Sequence, residues 1–258
     1  VLRCGRVAPL AVDEQGLLPK RKLGGCDYAF VTPSHQCPTS VIMPLARRLA
    51  VLKMALGKNM VLFEDDHEIE LNFSGRPLPA LKSLDSDGRV IYLGSLSKTL
   101  AHGLRLGYIV AAPELITELR ALRRLLMRHV PSNNAHIASL FIAQGYHDAF
   151  IRKLNVTYRE RRRVLLGALA RWLPECLVSQ AHGGSAAWVQ GPLGLDATAL
   201  AQEVQGRGVL IESGSVLFAH PSAAQNRCFH MGYSAIPSAV IEAGVGELQQ
   251  VYLACMER

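Results

Sequence analysis

Apolar positions along this chain follow two rhythms, which change over near residue 113. In the first half, short continuous apolar runs alternate with helical patterns. The runs predict strands at 7–12, 28–32, 60–64, 90–95 and 108–112. Between two of them, 44–56 reads as an amphipathic helix. Leu45, Leu49, Leu52 and Leu56 fall at helical spacing, with Pro44 at the first turn. Runs such as VIYLGS and GYIVAA are apolar throughout rather than alternating. Strands of a mostly parallel sheet, covered on both faces by helices, have this character. From Pro113 to Trp172 only helical periodicity remains, broken near Pro131 and Gly145, with a long helix over about 147–173. After Pro174 come short strands at 186–190, 209–211 and 228–233, with helices at 196–207 and 237–256. The expected organisation is an incomplete large α/β domain with a helical connector over 1–160. A smaller C-terminal α+β domain follows over 161–258.

Composition narrows the class without naming a chemistry. The chain has 258 residues, 49% of them hydrophobic and 19% charged, which excludes a disordered protein. No apolar run approaches the roughly 18 residues of a membrane span, and no signal-peptide pattern opens the chain. A cytoplasmic protein without a membrane anchor is expected. Six scattered cysteines lack the spacing of a zinc site or a disulfide framework, so reduced thiols are expected. The net charge of +7 is concentrated: between Leu115 and Arg171 stand eleven basic residues against Glu118, Asp148 and Glu160. No nucleic-acid motif accompanies them, so a solvated or partner-packing helical face is the reading.

The densest chemistry lies in 92–108, YLGSLSKTLAHGLRLGY. A predicted strand ends in Ser95-Leu96-Ser97-Lys98, and Arg105 follows with Gly103 and Gly107 beside it. Two hydroxyls and an arginine suit a phosphate, and glycines let backbone approach it closely. A lysine in such a place is costly to desolvate unless deprotonated or converted to an imine. A carbonyl-bearing phosphate ester meets both demands, and pyridoxal phosphate is the obvious candidate. Upstream, another strand ends in Glu64-Asp65-Asp66-His67. A parallel sheet would bring that end to the same edge as Lys98. A carboxylate there can pair with a pyridinium nitrogen and keep the ring an electron sink. Alone, E-D-D-H also reads as a metal site or a solvated turn. Beside S-x-S-K-x₆-R, the cofactor reading prevails.

Six segments, in order, are VTPSHQCPTS (31–40), VLFEDDHEIELNFSGRPLPAL (61–81), GRVIYLGSLSKTLAHGLRLGY (88–108), YRERRRVLLGAL (158–169), GGSAAWV (183–189) and RCFHMGYS (227–234). In these the chain resembles the fold-type I, class I/II aminotransferases that use pyridoxal 5'-phosphate. Within that family it resembles the aminotransferase-like domain of MocR-type regulators, which carry a GntR-type winged helix. The resemblance implies an internal aldimine on Lys98 and a pyridinium contact from Asp65. Ser95, Ser97 and Arg105 would hold the phosphate. Pro38 and Thr39 would face the ring hydroxyl, with His35 or Gln36 as further contacts. It also implies an amino acid or amine ligand bound as external aldimine, a homodimer, and DNA contact only through a winged helix absent from this chain. In family members the winged helix, first strand, glycine turn and ring-stacking aromatic precede the equivalent of Val1. The expectation is therefore the C-terminal part of a longer protein.

Three departures qualify the resemblance. His67 stands where the family has a tyrosine that hydrogen-bonds the ring oxygen. His230 replaces the arginine that forks onto the substrate carboxylate. Arg227, three residues earlier on a strand, faces the other way. Pro38-Thr39-Ser40 replaces P-T-G. These changes favour an effector domain of a transcriptional regulator, with an active transaminase as the alternative and a cofactor-free remnant as a third reading. His102, His129, His136, His147, His182 and His220 show no ligand spacing. Trp172 and Trp188 are expected in the core or at a domain contact, and Tyr158 and Arg159 on a helix surface.

Overall fold

The structure, a computed structural model, describes residues 5, 7–19, 25–73, 78–219, 222 and 225–256. Cys4, His220 and the SGRP portion (74–77) of the 61–81 segment lie outside the described residues, as does the side chain of His102. The chain divides into two compact units, one of 1–36 with 42–153, the other of 37–41 with 154–258.

The first unit is built on a four-stranded sheet. β3 (Tyr28–Val31), β4 (Val61–Asp66) and β5 (Val90–Ser95) run parallel, and β6 (Gly107–Val110) closes the edge antiparallel to β5. The mostly parallel sheet expected from the apolar runs is present. The 7–12 strand is not: residues 7–11 are irregular, and a two-residue hairpin follows, β1 (Val12–Asp13) with β2 (Gly16–Leu17). Gly16 takes φ +87 in its turn, a conformation that glycine adopts without strain.

Side chains of β4 and β5 alternate. Leu62, Glu64 and Asp66 point to one buried face with Val90 and Tyr92, while Phe63, Asp65, Ile91, Leu93 and Ser95 share the half-open face. Helix α1 (Leu45–Gly57) packs Val51 and Ala55 against Ala29, Val31, Leu62 and Val90 on the buried face. That face also holds charge. Arg48 is 1% exposed and donates to the carbonyls of Met43, Pro33 and Pro79. Its guanidinium stands 4.0 Å from Glu64. Glu64 in turn accepts the amides of Leu81 and Lys82 at 2.7 and 2.8 Å, opening the short helix α2 (Leu81–Leu84). Burial raises the Glu64 carboxyl and lowers the guanidinium, each against the charge of the other. Every polar group of this network is paired, as low-dielectric burial demands.

Helices α3 (Pro113–Met127) and α4 (Ser132–Ala143) follow, separated by Pro131 as the sequence indicates, and α5 (Tyr146–Trp172) begins after Gly145. None of the residues of α3 is buried.

The second unit contains an antiparallel sheet of order β7-β8-β10-β9: β7 (Leu177–Val178), β8 (Ala186–Gln190), β10 (Cys228–Gly232) and β9 (Glu212–Ser213). Two expectations are corrected. The 209–211 strand lies instead at β9, and β7 was not foreseen because two residues carry no alternation. Helices α6 (Ala197–Gln205) and α7 (Ser238–Met256) pack on each other. Asp196 caps α6 through Thr198 and Ala199 amides. Tyr158, expected on the surface, is 7% exposed and meets Tyr233 edge-on at 6.2 Å. Its helix turns that face inward, which heptad-scale charge patterning conceals. Trp188 is buried, as expected of a core residue, and Cys26, Cys37, Cys176, Cys228 and Cys255 are free thiols.

Candidate cofactor site

The C-terminal ends of β4 and β5 bring the candidate residues of the first unit together. Parallel pairing sets Asp65 against Leu93, with Ser95 two residues on along the same face. Because Glu64 and Asp66 turn to the other face, the E-D-D run cannot converge on one ion. No group of metal-ligating side chains occurs among the described residues.

Asp65 lies 3.3 Å from Nδ1 of His67. The His67 hydrogen bond holds the Asp65 carboxyl below its usual range despite desolvation, and the charge of Lys98 adds to the effect. Asp66, by contrast, accepts from Ser34 Oγ at 3.0 Å and Tyr92 Oη at 3.4 Å on the buried face. Desolvation pushes its carboxyl up to about 6, against the Ser34 bond. The same desolvation raises the Tyr92 phenol.

Past β5, the backbone amide of Ser97 donates to Ser95 Oγ at 3.3 Å, and Leu96 N donates to Leu106 O. Arg105 takes a left-handed backbone, φ 50, at the end of a short 3-10 turn. Gly94 is needed here: a Cβ would lie 2.2 Å from the Tyr108 ring. Lys98 follows, its side chain 38% exposed, with Nζ 2.7 Å from Glu68 Oε1. Sequence reasoning passed over Glu68. Its signal was an acid one position beyond the family's tyrosine position, in a segment already rich in acids. His35 is buried near Glu68 and His67, and desolvation lowers its ring to about 4, so it is neutral at physiological pH.

Thr39 and His230 belong to the second unit. Ser179 Oγ donates to the Thr39 carbonyl at 2.6 Å, and the Thr39 hydroxyl is buried without a hydrogen-bond partner. Its neighbour Ser40 has φ 57, the left-handed conformation suited to the family's glycine. On β10, His230 is partly buried, with Nδ1 3.6 Å from Glu212. Arg227 donates to the carbonyl of Gly191 at 3.1 Å. It precedes β10 and is engaged just past the end of β8.

Residues 24–245 match the family Aminotransferase class I and II. The chain is 37% identical over 242 residues to the HTH-type transcriptional regulator TauR of Rhodobacter capsulatus, covering 94% of this chain and 50% of that protein. It is 30% identical to aromatic-amino-acid aminotransferase 1 of Thermococcus litoralis, covering 86% and 53%. Among solved structures, LysN, an α-aminoadipate aminotransferase of Thermus thermophilus complexed with N-(5'-phosphopyridoxyl)-L-leucine, aligns with a TM-score of 0.83 at 29% identity. That alignment covers 89% of this chain and 59% of that one. The chain spans about half the length of the curated relatives it matches.

Proposed function

The chain belongs to the aminotransferase class I and II family, and from that membership we propose that it binds pyridoxal 5'-phosphate through Lys98 and receives an amino acid or amine. In this reading it is the effector domain of a transcriptional regulator. The regulator acts as a cytoplasmic homodimer whose DNA contacts are made by a winged-helix domain outside this chain. The observation that carries the reading is the placement of Lys98, Asp65, Ser95 and Ser97 at one end of one sheet. Likeness to TauR supports the regulatory assignment.

The donor set fits the cofactor. When bound, pyridoxal phosphate supplies an aldehyde to an amine and a protonated pyridine ring that accepts electron density. Lys98 Nζ is the amine, partly open to solvent. Asp65, on the half-open face and held ionised, is the acceptor for a pyridinium N–H. Ser95, Ser97 and Arg105 bring hydroxyl and guanidinium donors suited to a phosphate. His67 is bonded to Asp65 and holds the position at which the family resemblance implies a donor to the ring oxygen. Neutral, buried His35 lies near Glu68 and His67 without adding charge.

His230 beside Glu212 does not form the bidentate fork an arginine makes on a carboxylate. Charge-assisted hydrogen bonds contribute roughly 1.5–3 kcal/mol, so plain α-carboxylates bind more weakly here. That difference favours a sensor over an efficient transaminase. Likeness to the Thermococcus litoralis enzyme supports the second reading, in which Lys98 would be the group that moves a proton on the amino compound. Turnover with a panel of amines and amino acids in the presence of oxo-acids distinguishes them. A visible spectrum that shifts with an amino compound, yielding no more than stoichiometric oxo-acid, fits the sensor. Sustained multiple turnover contradicts it.

A further inference from the structure

The Lys98–Glu68 contact is the shortest side-chain pairing made by any candidate site residue of the first unit, and it is asymmetric. The carboxylate is buried, with 6% of its side chain exposed, whereas the lysine is 38% exposed. Glu68 thus sits behind the amine and leaves its outer side open. The position is fixed by the backbone: the turn after β4 is closed by Leu71 N donating to Glu68 O at 2.9 Å. The other carboxylate whose field includes Lys98 is already engaged, since Asp65 is bonded to His67. The neighbouring imidazole, His35, is neutral and offers Glu68 no compensating charge at physiological pH.

We propose that Glu68 is the proton partner of Lys98. Its carboxylate takes the ammonium proton that must leave before Nζ can attack an aldehyde, then returns it to the hydroxyl that departs as water. This rests on the reading of Lys98 as the cofactor-binding lysine. The balance is closed. An ammonium and an aldehyde become a protonated carbon–nitrogen double bond and one water. The C=O bond is exchanged for C=N, and the proton borrowed by Glu68 ends in the water. No oxidant or reductant is consumed. At 2.7 Å from Nζ, the carboxylate is within proton-transfer reach of the amine.

The test uses two aldehydes and one reagent that expels no water. The whole chain is mixed with formaldehyde or with pyridoxal phosphate, quenched with borohydride at intervals, and the Lys98 peptide is weighed. In a third arm Lys98 is acetylated with acetic anhydride. Glu68→Gln should slow capture of both aldehydes by about a hundredfold, the usual size of a positioned acid–base group. Its acetylation, which needs the same deprotonation but expels no water, should slow by a clearly smaller factor than aldehyde capture. Glu68→Asp, which retains the carboxylate, should fall between and carries the comparison should Glu68→Gln not fold. Formaldehyde capture at the parental rate in both variants overturns the proposal, as does an equal change in capture and acetylation. Glu68-dependent formaldehyde capture with no pyridoxal phosphate adduct in the parent would refute the cofactor reading and leave the proton partnership standing.

Discussion

Asp65 and Asp66 are consecutive in the chain and opposite in surroundings: one is bonded to His67 on the half-open face, the other buried against Ser34 and Tyr92. Strand alternation alone makes this division, and it assigns the two carboxylates different work. Asp65→Asn should weaken pyridoxal phosphate binding by tenfold or more, from loss of about 1.5–3 kcal/mol of charge-assisted bonding. Asp66→Asn should leave the dissociation constant within about threefold, as expected for a group that makes no ligand contact. Absorbance titration of the two variants measures both.

The buried face predicts a second effect, in stability against pH. Asp66 titrates at about 6 in the fold, above its ordinary value. Its stabilising contribution is therefore full below about pH 4 and is lost as pH rises through 6, by up to about 3 kcal/mol. His35 has the opposite sign. Its ring is lowered to about 4, so its contribution is present above about pH 6.5 and lost as pH falls through 4. The two slopes oppose each other in the parent. Relative to the parent, Asp66→Asn should gain stability between pH 4 and 6, and His35→Phe should lose it between pH 4 and 6.5. Urea unfolding across that range separates the two.

In the second unit, Ser40 holds a left-handed backbone with a weak 3.5 Å bond from its hydroxyl to the Ala186 carbonyl. A non-glycine residue in that region costs roughly 1–2 kcal/mol. Ser40→Gly should raise stability by about 0.5 kcal/mol once added chain entropy and the weak lost bond are counted. The midpoint of thermal unfolding reports it.

His230 offers a gain-of-function prediction. Since Arg227 is occupied at Gly191, the unit lacks an arginine at the β10 position for an α-carboxylate. His230→Arg should tighten binding of α-amino acids about tenfold or more over amines of equal size, by the strength of a bidentate pair. Spectral titration with matched amine and amino-acid ligands gives the ratio.

How much of this was legible beforehand varies with the kind of signal. β4, β5, β8 and the long helices follow from apolar runs and from Pro131 and Gly145, because burial of a whole strand or helix face leaves a pattern many residues long. The 7–12 run misled: its apolar residues do not pair, and only Val12 enters a strand. β7 and β9, of two residues each, are set by tertiary pairing and leave no period to read. In the candidate site, Lys98 and the serines stand out by residue type and spacing, and Asp65 by the family resemblance. Glu68 does not, since its meaning depends on a turn that carries it to the amine of a residue thirty positions later. The Arg48–Glu64 network was equally hidden: nothing in the sequence says that a charged residue within an amphipathic helix is as buried as its apolar neighbours.

The claim that Lys98 is the attachment point of pyridoxal phosphate is tested most directly by borohydride reduction and peptide mapping. The chain is incubated with pyridoxal phosphate, reduced, digested, and each lysine peptide is weighed. The account predicts one phosphopyridoxyl group, on Lys98, absent from Lys98→Ala. An unmodified Lys98, or label spread over Lys53, Lys58, Lys82 and Lys153 at comparable levels, would contradict it.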